Sequence, residues 1–225
     1  MRLSILHLII VCIATVAFVV FMFFKWQSKN ERIKVLNKEI MLEQTKIRKA
    51  NELGNKALAY VRIGRGLDIL AGDKLSDEQK DILAEKLLAI SNDYKIDPLL
   101  ILAVIRHESK GNPYARGIYT TGAHSGALGL MQIKYESALE VAPSVGVEIK
   151  SREDLFVPEK NLMVGTAYLL RLIAKYHDMK HALMAYNIGY AALDEKLKHK
   201  GTLPTKYYGK VMQDYKFLAE EIFNK

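Results

Sequence analysis

The sequence predicts an all-α fold: one compact helical domain preceded by an N-terminal transmembrane helix and a helical stalk. Three observations carry this. An uncharged apolar run extends from Leu3 to Phe24, every proline lies at or beyond Pro98, and from Ser76 onward apolar residues recur at helical spacing while strand signals stay weak. The expected divisions are residues 1–26 as the anchor, 27–75 as stalk and linker, and 76–225 as a single domain with one core.

The apolar run holds His7 as its only strongly polar group. At about 1.5 Å per residue it reaches about 33 Å, enough for a bilayer core. A cleavable signal peptide would be shorter and would exit through small residues; this run ends Phe21-Met22-Phe23-Phe24 and meets Lys25-Trp26, so an uncleaved anchor is expected. Cys12 is the single cysteine, so no intrachain disulfide can form. Val11 precedes it where a lipid-attachment site wants a small residue, and Cys12 reads as a buried apolar thiol.

In the stalk, Ile33, Leu36, Ile40, Ile47 and Ala50 form an approximate heptad that Glu43 interrupts. A lone amphipathic helix and a short coiled-coil dimer both fit. Gly54, Gly64, Gly66 and Gly72 punctuate the chain beyond it, and 61–75 reads as a linker or loosely packed turn. Ser76 then suits an N-cap, with Gln79 completing a capping box, and Ile82, Leu83, Leu87 and Ile90 form an apolar stripe. Asp97-Pro98 opens the next helix as cap and first residue. Further helices are expected near 132–141, 158–177, 179–186, 190–199 and 206–222.

Net charge is +8, but residues 1–75 carry 13 Lys/Arg against 6 Asp/Glu while the rest is nearly balanced. Basic charge beside an apolar segment fits a membrane surface, and no nucleic-acid-binding signature accompanies it, so no nucleic acid partner is expected.

The chemistry concentrates after the apolar helix Leu99–Ile105, which should be buried on every side. Glu108 sits near its C-terminal end, just before Gly111-Asn112-Pro113. Burial and the negative end of the helix dipole both raise a carboxyl pKa, as a general acid at neutral pH requires. A solvated last-turn carboxylate, or one paired with Arg106, is the plainer reading of that helix alone. Three more segments join it: Ser125-Gly126-Ala127-Leu128-Gly129-Leu130-Met131-Gln132, the helix start Pro158–Leu169, and Ala185-Tyr186-Asn187-Ile188-Gly189.

Together and in this order, over roughly residues 80–222, these motifs closely resemble the catalytic domain of soluble-type lytic transglycosylases, relatives of goose-type lysozyme. The resemblance implies a lysozyme-like fold with Glu108 as the single catalytic acid/base. It implies Ser125 near the reacting sugar, Met131 and Gln132 lining the cleft and contacting the glycan, and Tyr186 and Asn187 on the cleft floor. One tyrosine of Thr205-Lys206-Tyr207-Tyr208-Gly209-Lys210-Val211 should hydrogen-bond the glutamate. Counting back from Val211 favours Tyr207, and counting on from Thr205 favours Tyr208; Tyr207 is chosen. Ser109 is expected to support the helix end. Residues 116–124 lengthen the interval between Glu108 and Gly129 relative to small family members, as a loop at the cleft rim. His107 and His124 flank the site without partners at a zinc spacing, so no metal is expected, and no cofactor is implied.

Most glycosidases use two carboxylates, and the matched motifs hold one, with Asp154 and Glu136 the nearest outside candidates. The resemblance implies a solution. Glu108 protonates the glycosidic oxygen after N-acetylmuramic acid, and the 2-acetamido group steadies the developing cation. Glu108 then deprotonates the 6-hydroxyl, which closes a 1,6-anhydro ring. The expected partner is therefore peptidoglycan, with the chain held once through the inner membrane and its domain on the periplasmic side, open to a stalk-mediated dimer or an envelope-complex partner. Lys25, Lys29, Arg32, Lys34 and Lys38 after the span would by charge alone hold that side in the cytoplasm, so substrate location and charge rule disagree. The alternatives are a hydrolytic muramidase and a non-catalytic glycan-binding scaffold.

Overall fold

The computed structural model describes residues 5–119 and 121–223. Leu3, where the apolar run begins, lies outside them. The chain divides into two units, residues 1–55 and 56–225.

In the first unit the described residues belong to helix α1 (Ile5–Ala71). Its N-terminal part is long and apolar enough to cross a membrane. Thr15 returns its hydroxyl to the Cys12 carbonyl at 2.8 Å, which hides a polar group inside the apolar stretch. Cys12 itself lies on the outer surface of this apolar stretch. Trp26 packs its ring 6.2 Å from that of Phe23. Beyond it, Lys34–Glu31 and Lys46–Glu43 pair one turn apart and support the helix only weakly, because both partners are solvated.

The second unit opens on the last turns of α1, where Ile63, Leu67, Leu70 and Ala71 are buried in the core. This corrects the reading of 61–75 as a linker, and the expected boundary at residue 76 falls inside the compact unit. The physical reason is close packing. A Cβ on Gly66 would come within 2.7 Å of Leu102 Cδ1 and 3.2 Å of Ile222 Cδ1, so that glycine is a contact surface rather than a hinge.

Helix α2 (Asp77–Tyr94) starts from a complete capping box: Ser76 Oγ accepts from the Gln79 N–H and Gln79 Oε1 accepts from the Ser76 N–H. Helix α3 (Pro98–Ser109) is capped by Asp97, whose carboxylate accepts from the Leu99 N–H at 2.9 Å. Its residues 99–105 are all buried, as an all-apolar run requires. Three short antiparallel strands come next, in the order β1 (Arg116–Ile118), β2 (His124–Leu128), β3 (Ile133–Lys134). This small sheet is an addition to the all-helical expectation. Then come α4 (Tyr135–Val141), α5 (Pro158–Tyr176), α6 (Met179–Ile188), α7 (Tyr190–Lys198) and α8 (Thr205–Phe223).

Two apolar clusters fill this unit. The end of α1 with α2, α3 and α8 forms one, and α4 to α7 form most of the other, with α5 contributing Leu162 and Leu169 to the first and Val164 and Leu172 to the second. α3 packs chiefly along α8. Arg106 bonds Asp214 at 2.9 Å, and Tyr215 donates to Asp97 at 2.6 Å. Both ends of α3 are thereby fixed against α8.

Candidate active site

A groove of about 780 Å³ opens where the end of α3, the β1–β2 hairpin and the end of α6 converge. Glu108, Ser125, Gln132, Tyr186 and Asn187 all line it. Among the described residues on its wall, Glu108 is the only carboxylate, and Lys110, Arg116 and Lys134 supply positive charge.

Glu108 Oε1 accepts a hydrogen bond from the Tyr207 hydroxyl at 2.5 Å. Tyr208 is the half-buried neighbour, with the Lys180 ammonium 6.0 Å from its ring. Tyr207 faces the glutamate because α8 buries Tyr207, Val211, Leu218 and Ile222 along one face. Burial pushes the Glu108 carboxyl up to about 7, against the Tyr207 donation, which lowers it. Tyr207 itself is held well above the usual phenol value, first by burial and then by the Glu108 charge, so it remains a donor throughout the working pH range. Ser109 sends its hydroxyl to the Ile105 carbonyl at 3.1 Å and steadies the helix end. His107 also lines the groove; its ring meets Tyr207 edge-to-face at 5.0 Å and its Nδ1 lies 3.3 Å from Asp214 Oδ2.

Gln132, the last residue of the turn Gly129–Gln132, also lines the groove. Gln132 adopts φ +47 and donates its amide to the carbonyls of Ala115 and Gly129 at 3.0 and 2.9 Å. The Tyr186 hydroxyl donates to the Met131 carbonyl at 2.8 Å and so ties this turn to α6. Asn187 is exposed beside it, just before Gly189 ends the helix with φ +85. Ser125 Oγ accepts from the Ala127 N–H at 3.2 Å within β2.

Met131 departs from expectation. Its side chain is fully buried and does not line the groove. It fills the space left by Gly165, where a Cβ would lie 2.6 Å from Met131 Sδ. Only its backbone reaches toward the site, as the carbonyl bonded to Tyr186.

Two residues to which sequence reading assigned no role carry the site. Asn161 is completely buried, and its side chain takes the Met131 N–H at 2.7 Å while donating to the carbonyls of Leu128 and Leu155 at 2.9 and 2.8 Å. Gly129 crosses directly over it: a Cβ there would sit 2.1 Å from the Leu155 carbonyl oxygen, at φ +76. A polar residue on the otherwise apolar face shared with Gly165 and Leu169 was the available signal, since a buried amide must find partners. Asp214, which holds Arg106 and His107, gave no local signal.

Asp154 and Glu136 are committed elsewhere. Lys160 at 2.5 Å and the N–H groups of Lys150 and Ser151 hold Asp154 down to about 2. Glu136 pairs with Arg152 at 3.0 Å.

Tyr207→Phe removes the donor that lowers the Glu108 pKa, so the carboxyl should then titrate above about 7. Any reaction needing protonated Glu108 should keep its rate to higher pH in this variant, while its maximum falls about 10- to 100-fold through lost orientation. A pH–rate profile with an unmoved alkaline limb would contradict the assignment.

The model for the transglycosylase SLT domain matches residues 87–208. The chain is 37% identical over 112 residues to membrane-bound lytic murein transglycosylase E of Buchnera aphidicola, covering 46% of this chain and 48% of that protein. It is 34% identical over 134 residues to the transglycosylase of Enterobacteria phage PRD1, covering 60% and 43%. Against membrane-bound lytic murein transglycosylase C of Salmonella arizonae it is 45% identical over 84 residues, covering 36% and 22%. The chain thus spans less than half the length of these relatives. Among solved structures, an inactive mutant of lytic transglycosylase Slt from Pseudomonas aeruginosa aligns with a TM-score of 0.44 at 23% identity, over 61% of this chain and 22% of that one.

Proposed function

From the premise that the chain belongs to the transglycosylase SLT domain family, we propose that it is a membrane-anchored lytic transglycosylase that cleaves peptidoglycan beside N-acetylmuramic acid, with Glu108 as its one acid/base. The observation that carries this reading is the single carboxylate on the described wall of the groove, half-buried, raised to about 7 and bonded to Tyr207.

At neutral pH a substantial fraction of Glu108 is protonated and can give its proton to the leaving glycosidic oxygen. No second carboxylate among the described wall residues stands ready to act as nucleophile or to activate water. The acetamido group of the substrate supplies the missing nucleophilic support. The resulting Glu108 carboxylate, steadied by the Tyr207 hydroxyl, then takes the proton of the 6-hydroxyl as the anhydro ring closes. Tyr186, Asn187, Ser125 and Gln132 shape the wall that fixes the sugar for this intramolecular attack. Lys110, Arg116 and Lys134 suit the carboxylates of muramic acid and its stem peptide.

The apolar part of α1 serves as a single span through the inner membrane, with the domain on the murein side. The substrate decides this orientation against the charge rule. The exposed row Ile33, Leu36, Ile40 and Ile47 suits packing against a second copy or an envelope-complex partner.

The full chain in detergent should release soluble fragments from purified murein sacculi, and the Glu108→Gln chain should not. A folded chain that pellets with sacculi and releases nothing would instead be a glycan-binding scaffold. Protease added outside spheroplasts should digest the domain; protection of the domain would reverse the orientation.

A further inference from the structure

The β1–β2 hairpin contributes more to the groove than its backbone. At its base, Gly117 is pressed so close to β2 that a Cβ there would fall 2.1 Å from Ser125 Oγ. The Arg116 guanidinium stacks 4.5 Å from the Phe156 ring on its flank. At its tip, the Tyr119 N–H donates to the Ala123 carbonyl and the Gly122 N–H to the Tyr119 carbonyl, both at 2.8 Å, closing the turn. The two strands of the hairpin are therefore packed closely together, braced on one flank by Phe156 and closed at the tip. At the end of β1, Ile118 and Tyr119 line the groove and are 64% and 52% exposed. Neither side chain belongs to the apolar clusters of the unit.

Apolar and aromatic surface open to a polar groove offers its occupant a place to bury an apolar face. A tyrosine suits a sugar in particular. Its flat ring packs against the apolar C–H face of a pyranose, its hydroxyl stays hydrated, and few rotatable bonds are frozen on contact. The hairpin is continuous with the groove that holds Glu108, so its occupant belongs to the same strand.

We propose that Ile118 and Tyr119 form an additional sugar subsite, which stacks a pyranose of the glycan strand outside the pair cleaved at Glu108 and makes the protein favour long strands over short ones. This rests on the glycan-cleaving reading above and adds the length preference to it.

The test uses binding, so that it does not depend on turnover. The full chain carrying Glu108→Gln in detergent micelles is titrated with an end-labelled tetrasaccharide and an octasaccharide of alternating N-acetylglucosamine and N-acetylmuramic acid. Adding Tyr119→Ala should raise the Kd for the octasaccharide about five- to tenfold and leave that for the tetrasaccharide within about twofold. Tyr119→Phe, which keeps the ring, should restore the octasaccharide value. Unchanged octasaccharide binding in both Tyr119→Ala and Ile118→Ser would overturn the subsite. Equal losses for both oligomers would overturn it too, because the hairpin would then be shaping the Glu108 site itself. If no form binds either oligomer, the glycan reading fails first and the subsite falls with it.

Discussion

Glu108→Gln should reduce glycan cleavage by about three to four orders of magnitude, because one group serves as acid in the first half of the reaction and as base in the second. Gln keeps the shape and can still accept from Tyr207, so the loss should appear in kcat with KM little changed. The same substitution should change stability in the opposite direction. The folded pKa of Glu108, about 7, lies above its ordinary value of 4.5. Between those values the folded state holds more proton than the unfolded one, so stability falls as pH rises through that window and stays lower above it. Gln does not titrate. The variant should therefore melt higher than the parent above neutrality and at nearly the same temperature in acid. A variant that melts lower at every pH would show that the carboxylate is a structural partner, not a group held against its own solvation.

Asn161→Ala should be the most damaging change away from the glutamate. It strips partners from the Met131 N–H and from the carbonyls of Leu128 and Leu155, all three satisfied by one fully buried side chain. At about 1–3 kcal/mol for each of the three orphaned groups, the loss is about 3–9 kcal/mol, a large share of the stability of a domain. The melting temperature should fall by about 10 °C or more. Activity should fall further than stability explains, since the Met131–Gln132 wall also anchors Tyr186 through the Met131 carbonyl. A melting temperature within about 2 °C of the parent would mean that water replaces all three bonds.

Much of this architecture was legible because its signals are local. The Ser76–Gln79 capping box and the Asp97-Pro98 start each set a helix boundary through contacts within three residues. Glu108 could be singled out because it comes after a helical run with no polar face. What escaped reading depended on residues distant in the chain. Gly66 looked like punctuation, yet it is small because Leu102 and Ile222 press on it. The strands are two to five residues long, the first two interrupted by a glycine, and too short to show alternation. Met131 sits in a turn, where no periodicity says which way a side chain points, and the space behind it is made by Gly165. Tyr207 and Tyr208 are adjacent, so motif spacing alone left both open. The phase of the buried row Tyr207, Val211, Leu218 and Ile222 on α8 separates them.

The most direct measurement is the mass of the fragments released from purified sacculi by the full chain, beside the Glu108→Gln chain. Fragments ending in 1,6-anhydro-N-acetylmuramic acid, lighter than hydrolytic ones by the mass of one water and missing with Glu108→Gln, are the expected result. Fragments with free reducing ends would contradict it: water would be the acceptor, the protein would be a muramidase, and a second group able to activate that water would have to enter the groove.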